Sequence, residues 1–239
     1  MRNKKNFEET SKQLALHGLR IGAIKIRPNN PFLWASGTYN PIYDDNRLFL
    51  FYPEIRRLVI HGFLQILTSD LGLSYFDIIA GTSTSGIPHG YGVAEALDLP
   101  FVYVRDKPKD HGLRNQIEGI GDDEDLTGKR VLLIEDLIST GGSSVNAVSA
   151  IRKANGICDH CFSIFNYELP DSEKMFKGEL SYNKEGDNLS KPCHVTSLLS
   201  YSELLKVGIE NNFIEAENEK MLKDWIRDQK NWGLNNGFI

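Results

Sequence analysis

Apolar positions along the chain follow two different rhythms. Between Glu54 and Asp70, residues Ile55, Leu58, Val59, Phe63, Leu64, Ile66 and Leu67 recur at the spacing that lines one face of a helix. A shorter amphipathic helix is predicted from Phe7 to His17. After Ser74 the rhythm changes to short, nearly unbroken apolar runs: YFDIIAG, PFVYVR, RVLLIED and CFSIFNY. Helical stretches separate some of these runs, GIPHGYGVAEALDL after the first and about Ser143 to Asn155 after the third. Continuous apolar strands alternating with helices predict an α/β fold, a doubly wound and mainly parallel sheet covered on both faces.

The two ends of the chain read differently. IGAIKI is a short strand, and RPNNPFLWASGTYNPIYDDNR mixes prolines, asparagines and glycine with aromatic residues. That is turn chemistry around short strands. Past Pro170 the pattern weakens, and GELSYNKEGDNLSKP reads as a polar loop or insertion. HVTSLLS suits a last strand and YSELLKVGIENNF a helix. EAENEKMLKDWIRDQKNW suits another helix, with Leu222, Trp225 and Ile226 on one face for docking onto this chain or a second subunit.

Composition narrows the function. A net charge of −5 argues against general nucleic-acid binding. No apolar run is long enough to cross a bilayer, and the basic start lacks the apolar core of a signal peptide, so the cytoplasm is expected. Three cysteines do not suggest a secreted disulfide framework. Cys158-Asp-His-Cys161 has the spacing of a zinc motif that Cys193-His194 would complete. The competing reading is a strand with these residues on opposite sides.

The most chemical stretch is VLLIEDLISTGGSS, from Val131 to Ser144. A strand, a loop of small residues and a helix start place Ser139, Thr140, Gly141, Gly142 and Ser143 where backbone N–H groups converge on an anion. The lysine-bearing GxxxxGK[ST] pattern is absent, and GxGxxG is not matched, so neither a nucleoside triphosphate nor NAD has a clear home. Glu135 and Asp136 repel phosphate and must serve another part of the ligand. Carboxylates accept hydrogen bonds from sugar hydroxyls and stabilise a cationic sugar carbon. The stretch therefore points to a ribose 5-phosphate ligand reacting at the far end of the sugar.

VLLIEDLISTGGSS resembles the phosphoribosyl-pyrophosphate signature of the type I phosphoribosyltransferases. FLWASGTYNPIYDDNR (Phe32–Arg47) resembles the segment SGxxSPxYxDxR of the orotate phosphoribosyltransferases. AGTSTSGIPHGYGVAEALDLPFVYVRDKPKDHGLRNQIEG (Ala80–Gly119) is similar to that family's pyrophosphate loop, strand and mobile loop. The three segments stand in the family's order. The resemblance implies one domain over residues 1–239, with an N-terminal hood and base-recognition segment (1–50), a phosphoribosyl-pyrophosphate-binding core (51–200) and C-terminal helices (201–239). It implies transfer of the phosphoribosyl group to orotate, with magnesium, by a homodimer whose mobile loops each close over the other subunit's site.

The resemblance also assigns residues. Glu135 and Asp136 hold the ribose hydroxyls, and Leu137, Ile138 and Ser139 through Ser143 form the phosphate cradle, with Ser139 also near orotate. Thr82, Ser83, Thr84, Ser85 and Gly86 form the pyrophosphate loop. Arg105, Lys109 and His111 reach the substrate from the neighbouring subunit, with Lys109, Glu135 and Asp136 counted as catalytic. Ser36, Gly37 and Tyr43 lie at the base. The chain departs from the family at Asp106, where many relatives carry Lys or Ser, so Lys107 or Lys109 takes more of that load. It also departs at Ala35 and at Tyr39-Asn40, where some relatives have lysine and Lys-Ser. No strong nucleophile with a paired base is evident, which suits direct displacement through an oxocarbenium-like state, with magnesium on the pyrophosphate. A phosphoribosyltransferase for another base and a phosphoribosyl-pyrophosphate-binding regulator are the competing readings.

Overall fold

The apolar runs build the centre of the molecule. The computed structural model describes residues 2–34, 36–107, 116–121, 124–184 and 186–238, with side chains from residue 6 onward. Helix α1 (Arg2–Ile21) is longer than its amphipathic core suggested. Short strands follow: β1 (Ile24–Ile26), β2 (Phe32–Leu33), β3 (Tyr39–Asn40) and β4 (Ile42–Asp44). They pair antiparallel, β1 with β4 and β2 with β3. A 3-10 turn over Asn46–Phe51 leads into α2 (Pro53–Ile66), which ends in a π turn, Leu67–Leu71.

The core then alternates: β5 (Ile78–Thr82), α3 (Gly86–Leu97), β6 (Phe101–Val104), β7 (Ile117–Glu118), β8 (Arg130–Ile138), α4 (Gly142–Lys153), β9 (Ile157–Asn166), α5 (Pro170–Lys177) and β10 (His194–Ser200). Among the described residues these strands form one sheet in the order β10-β9-β8-β5-β6-β7. All pairings are parallel except β6 with β7. The predicted loop from Asp106 to Thr127 therefore contains a short edge strand, β7. Its pairing with β6 brings the two ends of the loop together.

The sheet has two apolar faces because successive side chains on a strand point oppositely. On β8, Leu132 and Ile134 join one cluster with α1, α2 and α3, whereas Val131 and Leu133 join the other with α4. Helix α5 was not anticipated, although its signals are present. Pro170 opens it, Asp171 and Glu173 fill its first turn, and Gly178 closes it at φ +78°. The polar stretch beyond it returns to α4, where the Tyr182 hydroxyl lies 2.9 Å from Ser149 Oγ, and Leu189 and Cys193 are buried.

The cysteines correct the sequence reading. β9 has one extra residue between Ile157 and His160 relative to β8, so Cys158 and Cys161 face the same side. Both are buried in one cluster with Cys193, and all three are free thiols. Among the described residues no group of three or more His, Cys, Asp or Glu is arranged to hold a metal ion.

The C-terminal helices α6 (Tyr201–Glu210), α7 (Glu219–Arg227) and α8 (Trp232–Asn235) dock onto their own chain. Trp225 is fully buried against Trp34, Tyr167 and Tyr201, with ring centroids 6.0, 5.3 and 4.9 Å away. Leu222 beside it is also fully buried. Leu222→Ala is expected to cost about 2–5 kcal/mol of stability, read from urea denaturation. A surface-like change below about 0.5 kcal/mol would show that α7 does not belong to the core.

Candidate active site

Two small-residue turns stand at the ends of neighbouring strands. β5 and β8 are adjacent, so the turn after each opens on the same side of the sheet. After β5 come Ser83, Thr84 and Ser85, then Gly86 at the start of α3; the Ser83–Thr84 peptide is cis. A Cβ on Gly86 would stand 2.6 Å from the carbonyl oxygen of Ile134 and overlap the Thr82 hydroxyl, so this turn closes against β8 only with glycine. After β8, Gly141 takes the left-handed conformation at φ +89° and α4 begins at Gly142. Among the described residues no side chain caps either helix. The first-turn N–H groups of α4 are therefore available to an anion, whereas at α3 the Ile87 N–H already bonds the Thr84 carbonyl at 3.3 Å and Pro88 has none.

Glu135 and Asp136 leave opposite faces of β8, yet their carboxyls remain close enough to interact. Glu135 is buried. Its Oε1 accepts from the Thr82 hydroxyl at 2.6 Å and the Asp136 amide at 2.9 Å, and its Oε2 accepts from the Ser144 hydroxyl at 2.8 Å. This carboxyl ties the β5 turn, β8 and α4 together rather than facing the cleft, unlike the expected shared grip on ribose. Burial, then the nearby Asp136 charge, pushes its pKa up to about 8. Asp136 is half-buried, and its carboxylate interacts with the neighbouring carboxyl of Glu135. Its carbonyl oxygen accepts from Asn46 Nδ2 at 3.0 Å, which fastens the N-terminal hood to β8.

Asn46 and its neighbour Asp44 were not among the expected site residues. Asn46 Nδ2 also donates to Asp44 Oδ2 at 2.8 Å, while Asp44 Oδ1 and Asn46 Oδ1 are buried without partners. Burial first, then the charges of Asp136 and Asp45, raises the Asp44 pKa well above its ordinary value. A second negative charge beside Asp136 is thereby disfavoured. The spacing of the family segment gave no sign of this, because position 44 is one of its variable places.

The loop between β6 and β7 is only partly described. Lys109, His111 and Arg114 lie outside the described residues, as does Ala35. At its base, Arg105 pairs with Glu118 at 3.3 Å, and the Gln116 side chain donates to the Arg105 carbonyl at 2.7 Å. Asp106 reaches the other anion turn: its Oδ1 accepts from the Ser143 hydroxyl at 3.0 Å, and its carbonyl accepts from Asn146 Nδ2 at 3.0 Å. The departure from Lys or Ser thus places a carboxylate beside the start of α4.

The segment expected to recognise the base contains a β2–β3 hairpin whose turn uses Gly37 at φ +81°. Ser36 is exposed there, with its hydroxyl 2.8 Å from that of Thr38. Tyr43 packs on Phe32 at 5.7 Å, and Tyr39 turns toward Phe238 at 6.2 Å. A cavity of about 290 Å³ lies between Thr140 of the α4 turn, α5 and the residues after α7, including Gln229. A larger one of about 680 Å³ lies between α5 and β10, lined in part by Ser172 and Phe176, which also stand against Gly141.

Comparison with known proteins decides the family. A sequence model of the phosphoribosyl transferase domain matches residues 53–167. An orotate phosphoribosyltransferase from Streptococcus pneumoniae serotype 4 is 40% identical over 222 residues, covering 93% of this chain and 97% of that protein. Another from Streptococcus gordonii is 41% identical over 224 residues, covering 94% and 99%. The chain belongs to the orotate phosphoribosyltransferase family. The fold agrees: the orotate phosphoribosyltransferase of Aeropyrum pernix superposes with a TM-score of 0.63 at 21% identity, over 84% of this chain and 99% of that one. Leishmania donovani UMP synthase does so at 0.68 and 24%, over 92% of this chain and 43% of that one. Members of the orotate phosphoribosyltransferase family thus share the mainly parallel sheet described above.

The buried carboxyl of Glu135 gives a signed prediction for this family member. In the unfolded chain it ionises near 4.5, and in the folded one near 8. The folded state holds the proton longer, so stability from this group is full below the unfolded value and is lost as pH rises toward 8. The melting temperature of the wild type relative to Glu135→Gln is expected to fall between pH 5 and 8. A difference that stays flat or rises would show that Glu135 is ionised in the fold.

Proposed function

We propose that the protein transfers the 5-phosphoribosyl group of phosphoribosyl pyrophosphate to orotate, giving orotidine 5′-monophosphate and pyrophosphate for pyrimidine nucleotide synthesis. The observation that carries this reading is the pair of uncapped turns at adjacent strand ends, with the half-buried Asp136 carboxylate near the end of β8. The α4 turn, Ser139 through Ser143 with Leu137 and Ile138 before it, suits the 5′-phosphate. The β5 turn, Thr82 through Gly86, suits pyrophosphate. Asp136 takes the ribose hydroxyls and stabilises positive charge on the sugar carbon as the base nitrogen bonds to it and the bond to pyrophosphate breaks. Glu135 holds the turns in register. Ser36, Gly37, Tyr43 and Ser139 border the base.

The donors in both turns are hydroxyls and amides, which suit anions. Magnesium therefore belongs on the substrate's own oxygens, where it neutralises the leaving group's charge. Lys109, His111 and Arg105 act from the second subunit of a homodimer, closing over pyrophosphate and excluding water. Arg105 is free to exchange its partly exposed Glu118 partner, because such pairs are weak. Phe51, 83% exposed, and Leu48 beside it give the hood an apolar surface suited to a second copy. The free thiols suit the reducing cytoplasm. Among the described residues no helix is long and apolar enough to cross a membrane.

Loss of orotate absorbance in the ultraviolet, requiring both phosphoribosyl pyrophosphate and magnesium, is the expected result with purified protein. Activity only with hypoxanthine or uracil would reassign the base, and binding without turnover would indicate a regulator. Asp136→Asn is expected to keep the fold and lose activity by at least about a hundredfold; near-normal turnover would remove Asp136 from the mechanism. Mixing Asp136→Asn with Lys109→Ala, each inactive alone, is expected to restore part of the activity. Absence of recovery after demonstrated subunit exchange would exclude a shared site.

A further inference from the structure

Thr38 and Asn40 sit behind the exposed Ser36, and both are bonded from the far end of the chain. Asn40 is completely buried. Its Oδ1 accepts from Trp225 Nε1 at 2.9 Å and from Gln229 Nε2 at 2.6 Å. Its Nδ2 donates to the Thr38 carbonyl at 2.9 Å and the Thr38 hydroxyl at 3.1 Å. Gln229 Nε2 also reaches the Thr38 hydroxyl at 3.4 Å.

The direction of every proton in this array follows from one group. An indole N–H only donates, so Asn40 must present its oxygen to Trp225 and its NH₂ to Thr38. Gln229 faces an acceptor at Asn40 and must present its NH₂ as well. The Thr38 hydroxyl then receives two N–H donors, which fill both of its lone pairs. Its own proton has one remaining direction, toward Ser36 Oγ at 2.8 Å. Ser36 accepts that bond and keeps its own O–H for an acceptor outside the hairpin. Packing holds the array in place: Phe238 lies against Tyr39, and Gly233 approaches so closely that a Cβ there would stand 2.8 Å from Tyr39 Cβ. Gln229 and Thr140 of the phosphate turn line the same cavity, so the array lies next to the proposed sugar-phosphate site.

We propose that the C-terminal segment is part of the base-binding half of the site: through Asn40 and Gln229 it fixes the Thr38 hydroxyl as a donor to Ser36, so that the Ser36 O–H is presented to an acceptor oxygen of the pyrimidine base. Thr38, Asn40 and Gln229 are positioning residues, and Ser36 makes the contact. The inference rests on the reading of orotate as substrate, whose carboxylate and carbonyl oxygens are such acceptors. A donor held in one direction binds an anionic acceptor without first reorganising.

The test is a double-mutant cycle on orotate and phosphoribosyl pyrophosphate kinetics. Thr38→Val keeps the side-chain shape and removes the hydroxyl. It is expected to raise the orotate KM about tenfold, with the KM for phosphoribosyl pyrophosphate unchanged. Ser36→Ala is expected to do the same, and the double variant to lose no more than Ser36→Ala alone, because both act through one bond. Gln229→Met is expected to raise the orotate KM in the same selective way. Additive losses, an unchanged orotate KM in folded variants, or an equal rise in both KM values would each overturn the relay. Wild-type turnover separates this from the assignment of substrate. No wild-type reaction with orotate would overturn both, whereas wild-type reaction with uniform orotate KM across the variants would overturn the relay alone.

Discussion

The buried carboxyl of Glu135 is the joint on which the site depends. Three donors from three places converge on it: the Thr82 hydroxyl at the end of β5, the Asp136 amide on β8 and the Ser144 hydroxyl on α4. These are the elements that carry the two anion turns. Leaving such a group without its partners inside the fold would cost far more than the bonds gain. The two turns are therefore held at one spacing, and Gly86 lets the β5 turn lie against β8 without a side chain between them. The strand that supplies Glu135 to the interior supplies Asp136 to the cleft by simple alternation.

Charge is arranged with the same economy. A sugar phosphate needs positive potential at its two phosphate ends and negative charge at the sugar between them. Helix N-termini supply the former without a cationic side chain in either turn. In the proposed reaction Asp136 supplies the latter, and burial, which raises the Asp44 pKa, disfavours a second charge beside it. The hood is joined to β8 through Asn46 and to the C-terminal helices through Asn40. The proposed base and sugar ends of the site thus meet through polar contacts that are buried or half-buried. Asp106 adds a carboxylate at the mouth of the phosphate turn, held by Ser143. An incoming phosphate has to share or displace that contact.

Much of this was legible in the sequence. The apolar runs IIAG, VLLIE and FSIF fixed the parallel strands because strands covered on both faces have no polar side to show. The loops STSG and STGGSS announced small-residue turns leading into helices because small residues, glycine turns and helix starts are local properties. What the runs could not show was the hidden extra residue in β9, which turns Cys158 and Cys161 to the same side. Nor could they show the short strand β7, whose two residues are too few to carry a pattern. Helix α5 had its end signals but too little apolar periodicity over eight residues to stand out.

By itself the sequence determined the α/β core, the two small-residue turns and the acid pair, since each is encoded within a dozen neighbouring residues. Tertiary structure alone decided which face of β8 turns inward, so that Glu135 rather than Asp136 is buried. It also decided that Asn46 grips β8, and that Trp225 and Gln229 reach back across the chain to Asn40. The physical reason is separation. A strand's alternation and a turn's geometry are set by nearest neighbours. The direction of a hydrogen bond between residues 189 positions apart is set only when the core that carries both has packed.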